Sequence, residues 1–222
     1  MSDKVARPID KSAVPAVTVP RLAVYLRKLR ELQARGVERV SSKQLAGMID
    51  LNAAQIRKDF SYFGEFGTRG VGYEVDRLVG EIKRCLGLER SWNVIIVGAG
   101  SLGTALARYR GFAEQGFKLV AMFDASQKKV GVSFGDGRTI RDVADLERFC
   151  HDEHVDIAIV AVPAHAAQSI IDRLVGLEPA RRVRAILNFA PVKVFAPRDV
   201  IVRQVDFSCE LMFLSFYLDR EA

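Results

Sequence analysis

Apolar residues recur at helical spacing from residue 20 to residue 35, with Leu22, Tyr25, Leu26, Leu29 and Leu32 forming one stripe and Arg21, Arg27, Lys28, Arg30 and Arg35 flanking it. That period predicts an amphipathic helix. Pro20 suits its opening turn, where a missing N–H costs nothing, and Gly36 suits its stop. Residues 1–17 are polar, carry Pro8 and Pro15 and lack an apolar period, which predicts a flexible arm. Ser41-x-x-Gln44 has the form of a capping box opening a short helix with Leu45, Met48 and Ile49 turned inward. Asn52-x-x-Gln55 repeats the signal and opens another. Two short capped helices in tandem after a longer one have the pattern of a helix-turn-helix. In the last of them Ile56, Phe60 and Phe63 share one side, while Ala54, Gln55, Lys58, Ser61 and Tyr62 share the other, with Arg57 on the flank. A small, polar, basic face of that kind suits a helix that reads base edges in the major groove.

The segment Gly64-Glu-Phe-Gly-Thr-Arg-Gly-Val-Gly72-Tyr73 is too rich in glycine for a helix interior and predicts a tight hairpin, a wing, with Arg69 near its tip. Val75, Leu78, Val79, Ile82 and Leu86 then return to helical spacing and end near Gly87. Residues 18–87 thus form one predicted domain, and Leu88–Trp92 reads as a linker.

From Asn93 onward the pattern changes. Val94-Ile-Ile-Val97 is a short continuous apolar run, as expected of a parallel strand buried on both faces. Further strands are predicted at Lys118–Phe123, Asp156–Val162, Ala185–Leu187 and Val200–Val205, and helices at Leu102 to about Glu114 and at Ala164–Leu177. Alternation of strands and helices predicts a doubly wound α/β layer over 93–206. Gly98-Ala99-Gly100-Ser101-Leu102-Gly103 stands between the first strand and its helix, which is the context a dinucleotide fingerprint requires. Gly98 permits the tight turn, Gly100 lets a pyrophosphate approach the backbone, and Gly103 lets helix and strand pack closely. The helix N-terminus offers N–H groups to the phosphates. Asp124, 21 residues past Gly103, ends the next strand, where it can accept from both ribose hydroxyls and would repel a 2′-phosphate. NAD(H) is therefore expected rather than NADP(H), although Lys128 and Lys129 lie close by.

Charge sharpens the division. Residues 1–91 hold 17 Lys and Arg against 11 Asp and Glu, whereas 92–222 hold 16 of each, so the whole net charge of +6 lies in the first part. A basic module beside a neutral one is the footprint of a nucleic-acid-binding domain joined to another function. No run approaches the roughly 18 apolar residues of a membrane span, and the N-terminus has no signal-peptide core. Cys85, Cys150 and Cys209 are far apart and form no Cys-x-x-Cys pair, so they read as small buried hydrophobes in a cytoplasmic protein without a zinc site. The chain has three histidines; His151 and His154 fall at a polar, exposed helix end. His165, after Pro163, is the one candidate base for a rival reading as a small NAD-dependent oxidoreductase. About 130 residues complete the nucleotide fold, leaving no room for a substrate domain. That favours a sensor without catalytic residues.

The tail is apolar on nearly every side. Ser208 reads as the N-cap of a last helix, Cys209–Leu218, with Leu211, Met212, Phe213, Leu214, Phe216, Tyr217 and Leu218 spread around its circumference. Such a helix cannot lie with one side in water. A second subunit could bury it, which predicts a dimer formed by exchange of residues 207–222.

The assembled order resembles the Rex family of redox-sensing transcriptional repressors over about residues 17–218. The resemblance rests on Val19-Pro-Arg-Leu, Val40-Ser-Ser, Ile56-Arg-Lys-Asp-Phe-Ser-Tyr-Phe-Gly64, Gly67-Thr-Arg-Gly-Val-Gly-Tyr73, Gly98–Gly103, Asn188-Phe-Ala-Pro191 and Val205-Asp-Phe-Ser208. It implies an N-terminal winged helix-turn-helix domain, a C-terminal Rossmann-like NAD(H) domain and a C-terminal helix swapped in a homodimer that leaves double-stranded operator DNA when NADH binds. By position it implies that Arg57, Lys58, Ser61 and Tyr62 lie at the DNA with Arg69 in the wing; Ser42 and Gln55 complete the expected interface. Tyr109 and Asp206 would pair across subunits in one ligation state. Phe207 would approach the nicotinamide, in a pocket expected to include Val162, Pro163 and Phe189.

Overall fold

The computed structural model describes residues 14–62 and 72–218, which divide into two compact units at Arg90/Ser91. In the first, the apolar stripe becomes α1 (Thr18–Ala34), and its predicted members Leu22, Tyr25, Leu26, Leu29 and Leu32 are all buried. The helix begins two residues before Pro20, with Thr18 also buried, after a turn in which the Thr18 N–H donates to the Pro15 carbonyl. Pro20 still lies in the first turn, where no intrahelical acceptor awaits an N–H. Residues 1–13 of the expected arm lie outside the described residues.

Ser41 forms the full capping box with Gln44 at the start of α2 (Ser42–Ile49). Asp50, in the left-handed region at φ 52°, ends that helix, and Asn52 opens α3 (Ala53–Ser61) by accepting from the Ala54 N–H at 2.7 Å. This second signal is only half a box, because Gln55 turns instead to Asp59. Leu45, Ile56 and Phe60 are buried as expected, but Met48 is exposed and Ala46 takes an inward place. The α2 stripe is therefore rotated slightly from the one its spacing suggested.

A short strand β1 (Arg39–Val40) pairs antiparallel with β2 (Tyr73–Glu74), so the base of the predicted hairpin joins a segment preceding α2. Phe63, Arg69 and the tip lie outside the described residues. Then α4 (Val75–Cys85) buries Val75, Leu78, Val79 and Ile82 against α1 and stops before Gly87, whose φ of 70° suits a residue without a Cβ.

The second unit is a parallel sheet. Its strands are β3 (Trp92–Val97), β4 (Phe117–Asp124), β7 (Arg141–Asp142), β8 (Ile157–Val160), β9 (Ala185–Asn188) and β10 (Ile201–Gln204), in spatial order β10-β9-β8-β3-β4-β7. Trp92 belongs to β3 and not to the linker. Side chains alternate as a doubly covered strand demands. Ile95 and Val97 face α7 (Leu146–Asp152) and α8 (Ala164–Val175), while Val94 and Ile96 join Leu106, Ala107 and Phe112 on the other face. A small hairpin of β5 (Ser133–Gly135) and β6 (Arg138–Thr139) and the edge strand β7 are too short for periodicity to reveal.

The single helix expected over Leu102 to Glu114 is two: α5 (Ser101–Ala107) and α6 (Gly111–Glu114). At the break the ring of Tyr109 folds back over Gly111, where a Cβ would lie 2.5 Å from it, and stands edge-on to Phe112. The last helix, α9 (Phe207–Leu218), has no buried residue. Asp206, not Ser208, caps it, accepting from the Ser208 N–H at 2.9 Å and from its hydroxyl at 2.5 Å.

Candidate functional site

The strand order runs outward in both directions from β3, so the carboxyl ends of β3 and β8 flank the point where the winding reverses. Ligands of doubly wound sheets bind in the crevice at such a point. The chain leaves β3 through Gly98, whose φ is 105° and whose N–H donates to the Phe123 carbonyl at 2.8 Å. A Cβ on Gly98 would meet the Ala161 carbonyl, at the end of β8, at 2.4 Å. One on Gly103 would meet the Gly98 carbonyl at 1.9 Å. Gly100 differs: a Cβ there would meet nothing within 4 Å, so this glycine opens space toward solvent and not toward the protein. The loop is closed underneath by two glycines and left bare above by the third, above the N-terminus of α5 at Ser101. Open backbone N–H groups at a helix start, with no Cβ in front of them, are what a pyrophosphate needs.

Asp124 ends β4 and is buried. Its Oδ2 accepts from the Ala99 N–H at 2.7 Å and lies 3.1 Å from Lys129 Nζ, while Oδ1 accepts from the Ser126 N–H at 2.8 Å. Burial acts to raise this carboxyl, but the N–H donors of Ser126 and Ala99 and the ammonium of Lys129 outweigh it and hold the group below the usual carboxylate range. The acid expected at a ribose is thus first a brace for the glycine loop. Lys129, considered in the sequence only as a nearby charge, proves to be its ion-pair partner.

Val162 leans over the loop, with Cγ1 3.1 Å from where a Gly98 Cβ would sit, and Pro163 and His165 stand exposed where α8 begins. Phe189 follows β9, and its ring lies 5.8 Å from that of Phe207. Asn188 explains how Phe189 is held. Fully buried, it accepts from the Ala190 N–H at 3.1 Å and donates to Gln204 Oε1 at 2.7 Å, while Gln204 donates to the Ala190 carbonyl at 2.6 Å. Periodicity gave no reason to single out Asn188 or Gln204. A polar residue closing an apolar strand was the available signal. Tyr109 is 61% exposed. Hydrogen bonds from the Ser208 hydroxyl and N–H hold Asp206 below the usual carboxylate range.

In the first unit, Arg57, Lys58 and Ser61 are exposed along α3, and Tyr62 and Ser42 are half-buried. Arg57 donates to the Ser42 hydroxyl at 3.0 Å, tying α3 to the first residue of α2. Gln55, expected on the outer face, is half-buried and donates to Asp59 at 2.8 Å. Among the described residues no helix is long and apolar enough to cross a membrane, and no cluster of His, Cys, Asp and Glu could hold a metal ion. Cys85 and Cys150 are buried, and burial pushes the Cys150 thiol up to about 11; Cys209 departs from expectation by being exposed on α9.

Residues 13–61 match a family described as a putative DNA-binding protein N-terminus, and residues 89–192 match the CoA binding domain family. The redox-sensing transcriptional repressor Rex of Syntrophomonas wolfei is 46% identical over 205 residues, covering 92% of this chain and 95% of that protein. The chain belongs to the Rex family of redox-sensing transcriptional repressors. The Rex of Streptomyces coelicolor is 47% identical, over 97% of this chain and 82% of its own length. Among solved structures, the Rex-family repressor RSP in complex with β-NAD⁺ and operator DNA superposes with a TM-score of 0.89 at 37% identity, covering 95% of each chain. RSP in complex with β-NADH superposes at 0.84 and 36% identity, covering 95% of this chain and 97% of that one. Membership in Rex accounts for a chain that joins a helix-turn-helix to a nucleotide crevice, and Rex proteins are named as repressors, not enzymes.

Proposed function

We propose that this Rex protein acts in the cytoplasm as a homodimer that grips operator DNA through α3 and lets go when NADH fills the crevice beside Gly98–Gly103. One observation carries the reading: a loop whose first and third glycines cannot bear a Cβ, and whose second faces open space, sits in the same chain as a capped helix-turn-helix with an exposed basic face. The relative RSP was crystallised both with NAD⁺ and operator DNA and with NADH.

At the ribose, Asp124 has little capacity to spare. A carboxylate offers about four lone-pair sites, and Ala99, Ser126 and Lys129 engage three, so it accepts from one ribose hydroxyl and not from both. Val162, Pro163, Phe189 and Phe207 frame the nicotinamide end. Burying the charged ring of NAD⁺ among them is costlier than burying the neutral ring of NADH. The ligand that fits the closed dimer better shifts the population toward it. A hundredfold preference supplies about 2.7 kcal/mol, enough for a graded response. Tyr109 of one protomer and Asp206 of the other pair in one of the two states. His165, exposed and without a substrate domain beside it, plays no catalytic part.

Dimerisation is supported by two apolar surfaces that a single chain leaves open. One is α9. The other is a groove of about 300 Å³ on the sheet face, lined by Val94, Phe112, Ile157, Ile159, Leu187 and Ile201 among others. The connection from β9 to β10 does not cover it, because Val194 and Ala196 pack on the opposite face with α7 and α8, where Phe195 bonds to Gln168. Large open apolar surfaces of this kind mark association.

The direct test is an operator mobility-shift titration at equal total NADH and NAD⁺. NADH releases the duplex at a concentration at which NAD⁺ does not; equal release by both rejects redox sensing. For the interface, Lys58→Ala is expected to weaken operator binding about tenfold and to lower the slope of log K against log salt by about one, as the loss of one phosphate contact requires. Unchanged affinity moves the interface off α3.

A further inference from the structure

Among the described residues of the first unit, one charged side chain is buried. Asp59, on α3, is fully buried. Both of its oxygens are engaged by α1. Arg21 Nε donates to Oδ2 at 2.6 Å and Arg21 Nη2 to Oδ1 at 2.6 Å, a two-pronged grip, while the Tyr25 hydroxyl donates to Oδ2 at 2.6 Å. Gln55, one turn earlier on the same helix, donates to Oδ1 at 2.8 Å. Arg21 Nη2 also reaches the Thr18 hydroxyl at 3.3 Å, so the grip is tied back to the start of α1. The ring of Tyr25 stands edge-on to Phe60, with centroids 5.4 Å apart.

An apolar side chain at position 59 would bury as well and cost less, since a buried ion pair is a poor source of net stability. A bidentate pair supplies direction instead. Apolar contacts let a helix roll by several degrees at little cost; three hydrogen bonds from α1 converging on one carboxylate of α3 do not. The exposed residues Arg57, Lys58 and Ser61 lie within two positions of Asp59, so any roll of α3 carries them with it.

We propose that Asp59, clamped by Arg21 and Tyr25, is a positioning residue for operator recognition: it sets the rotation of α3 on α1 and so the direction in which the reading face projects. The inference rests on α3 being the reading helix. Stability and specificity then separate on substitution. Tyr25→Phe removes one hydroxyl and keeps the packed ring; Arg21→Lys keeps the charge and loses the fork; Asp59→Asn keeps the shape and loses the charge.

Each full-length variant is compared with the parent in three measurements: Tm, affinity for a duplex that the parent selects from a randomised pool, and affinity for a scrambled duplex of equal length. Tyr25→Phe and Arg21→Lys are expected to bind the selected duplex about tenfold more weakly and the scrambled duplex within twofold of the parent. Repeated selection with these variants yields a less defined half-site. A merely structural role predicts a lower Tm with the same selected sequence and the same ratio of affinities, and that result overturns the proposal. Should Asp59→Asn fail to fold, the two α1 variants decide. Lys58→Ala in parallel separates the two ideas. If it leaves selected-duplex binding intact, the reading helix is misassigned. If it weakens binding while the clamp variants do not, only the positioning role falls.

Discussion

Gly103→Ala is expected to abolish NADH binding and to lower the melting temperature of the second unit by about 10 °C. The added methyl would sit 1.9 Å from the carbonyl oxygen of Gly98, which is backbone and cannot swing aside. Either α5 moves off the sheet or the loop leaves β3, and both dismantle the cradle proposed to receive the pyrophosphate. Forced overpacking of this kind costs on the order of 3 kcal/mol, which for a unit of this size corresponds to about 10 °C. Gly100→Ala is the matching control. Its backbone has an ordinary φ of −73°, and its Cβ would meet nothing within 4 Å, so the melting temperature should stay within a degree or two. The methyl nevertheless projects where the proposed site needs a phosphate to approach, and NADH affinity is expected to fall. Calorimetric titration beside thermal denaturation checks both. A Gly103→Ala protein that binds NADH normally would show that the nucleotide sits elsewhere, as would an unimpaired Gly100→Ala protein.

Leu211→Glu combined with Leu214→Glu is expected to convert the dimer to monomers and to weaken operator binding by about a hundredfold or more. These side chains are 67% and 56% exposed in the single chain, so the charges disturb no core of their own protomer, and glutamate keeps the helix propensity of leucine. In a dimer that covers α9 the same carboxylates would be buried unpaired, which is prohibitive. Two linked reading heads bind a two-part site with an effective concentration that a monomer forfeits, commonly worth a hundredfold to ten-thousandfold. Sedimentation equilibrium gives the mass and a mobility shift gives the affinity. A double variant that remains dimeric would remove α9 from the interface.

What the sequence made legible follows a physical rule. Long periodic stretches declared themselves: the α1 stripe from Leu22 to Leu32, the α4 stripe from Val75 to Ile82, and the run Val94–Val97 each fell as their spacing required. So did the glycine loop, because its constraint is steric and local. Elements whose cause is a single contact did not. The helix after Gly103 stops at Ala107 and resumes at Gly111, with the Tyr109 ring folded over Gly111, a contact that no periodicity encodes. Met48 points outward because the packing of a two-turn helix is decided by its neighbours. Polar groups were the least legible. Asp59, Asn188 and Lys129 act through partners 38, 16 and 5 residues away, and only the folded chain brings Arg21, Gln204 and Asp124 to them. Asp206 was singled out for pairing with a tyrosine, while its place as the cap of α9 lay two residues before the serine that the motif suggested.

The link from Asp124 to the Ala99 amide bears on how much work a bound nucleotide can perform. Because a carboxylate from the neighbouring strand already stands behind that loop, the cradle is set before any ligand arrives, and little of the binding free energy is spent on arranging it. What remains is available to distinguish one oxidation state from the other. A sensor with a slack cradle would have to tighten it for both forms alike, and that shared expense would blunt the contrast between them.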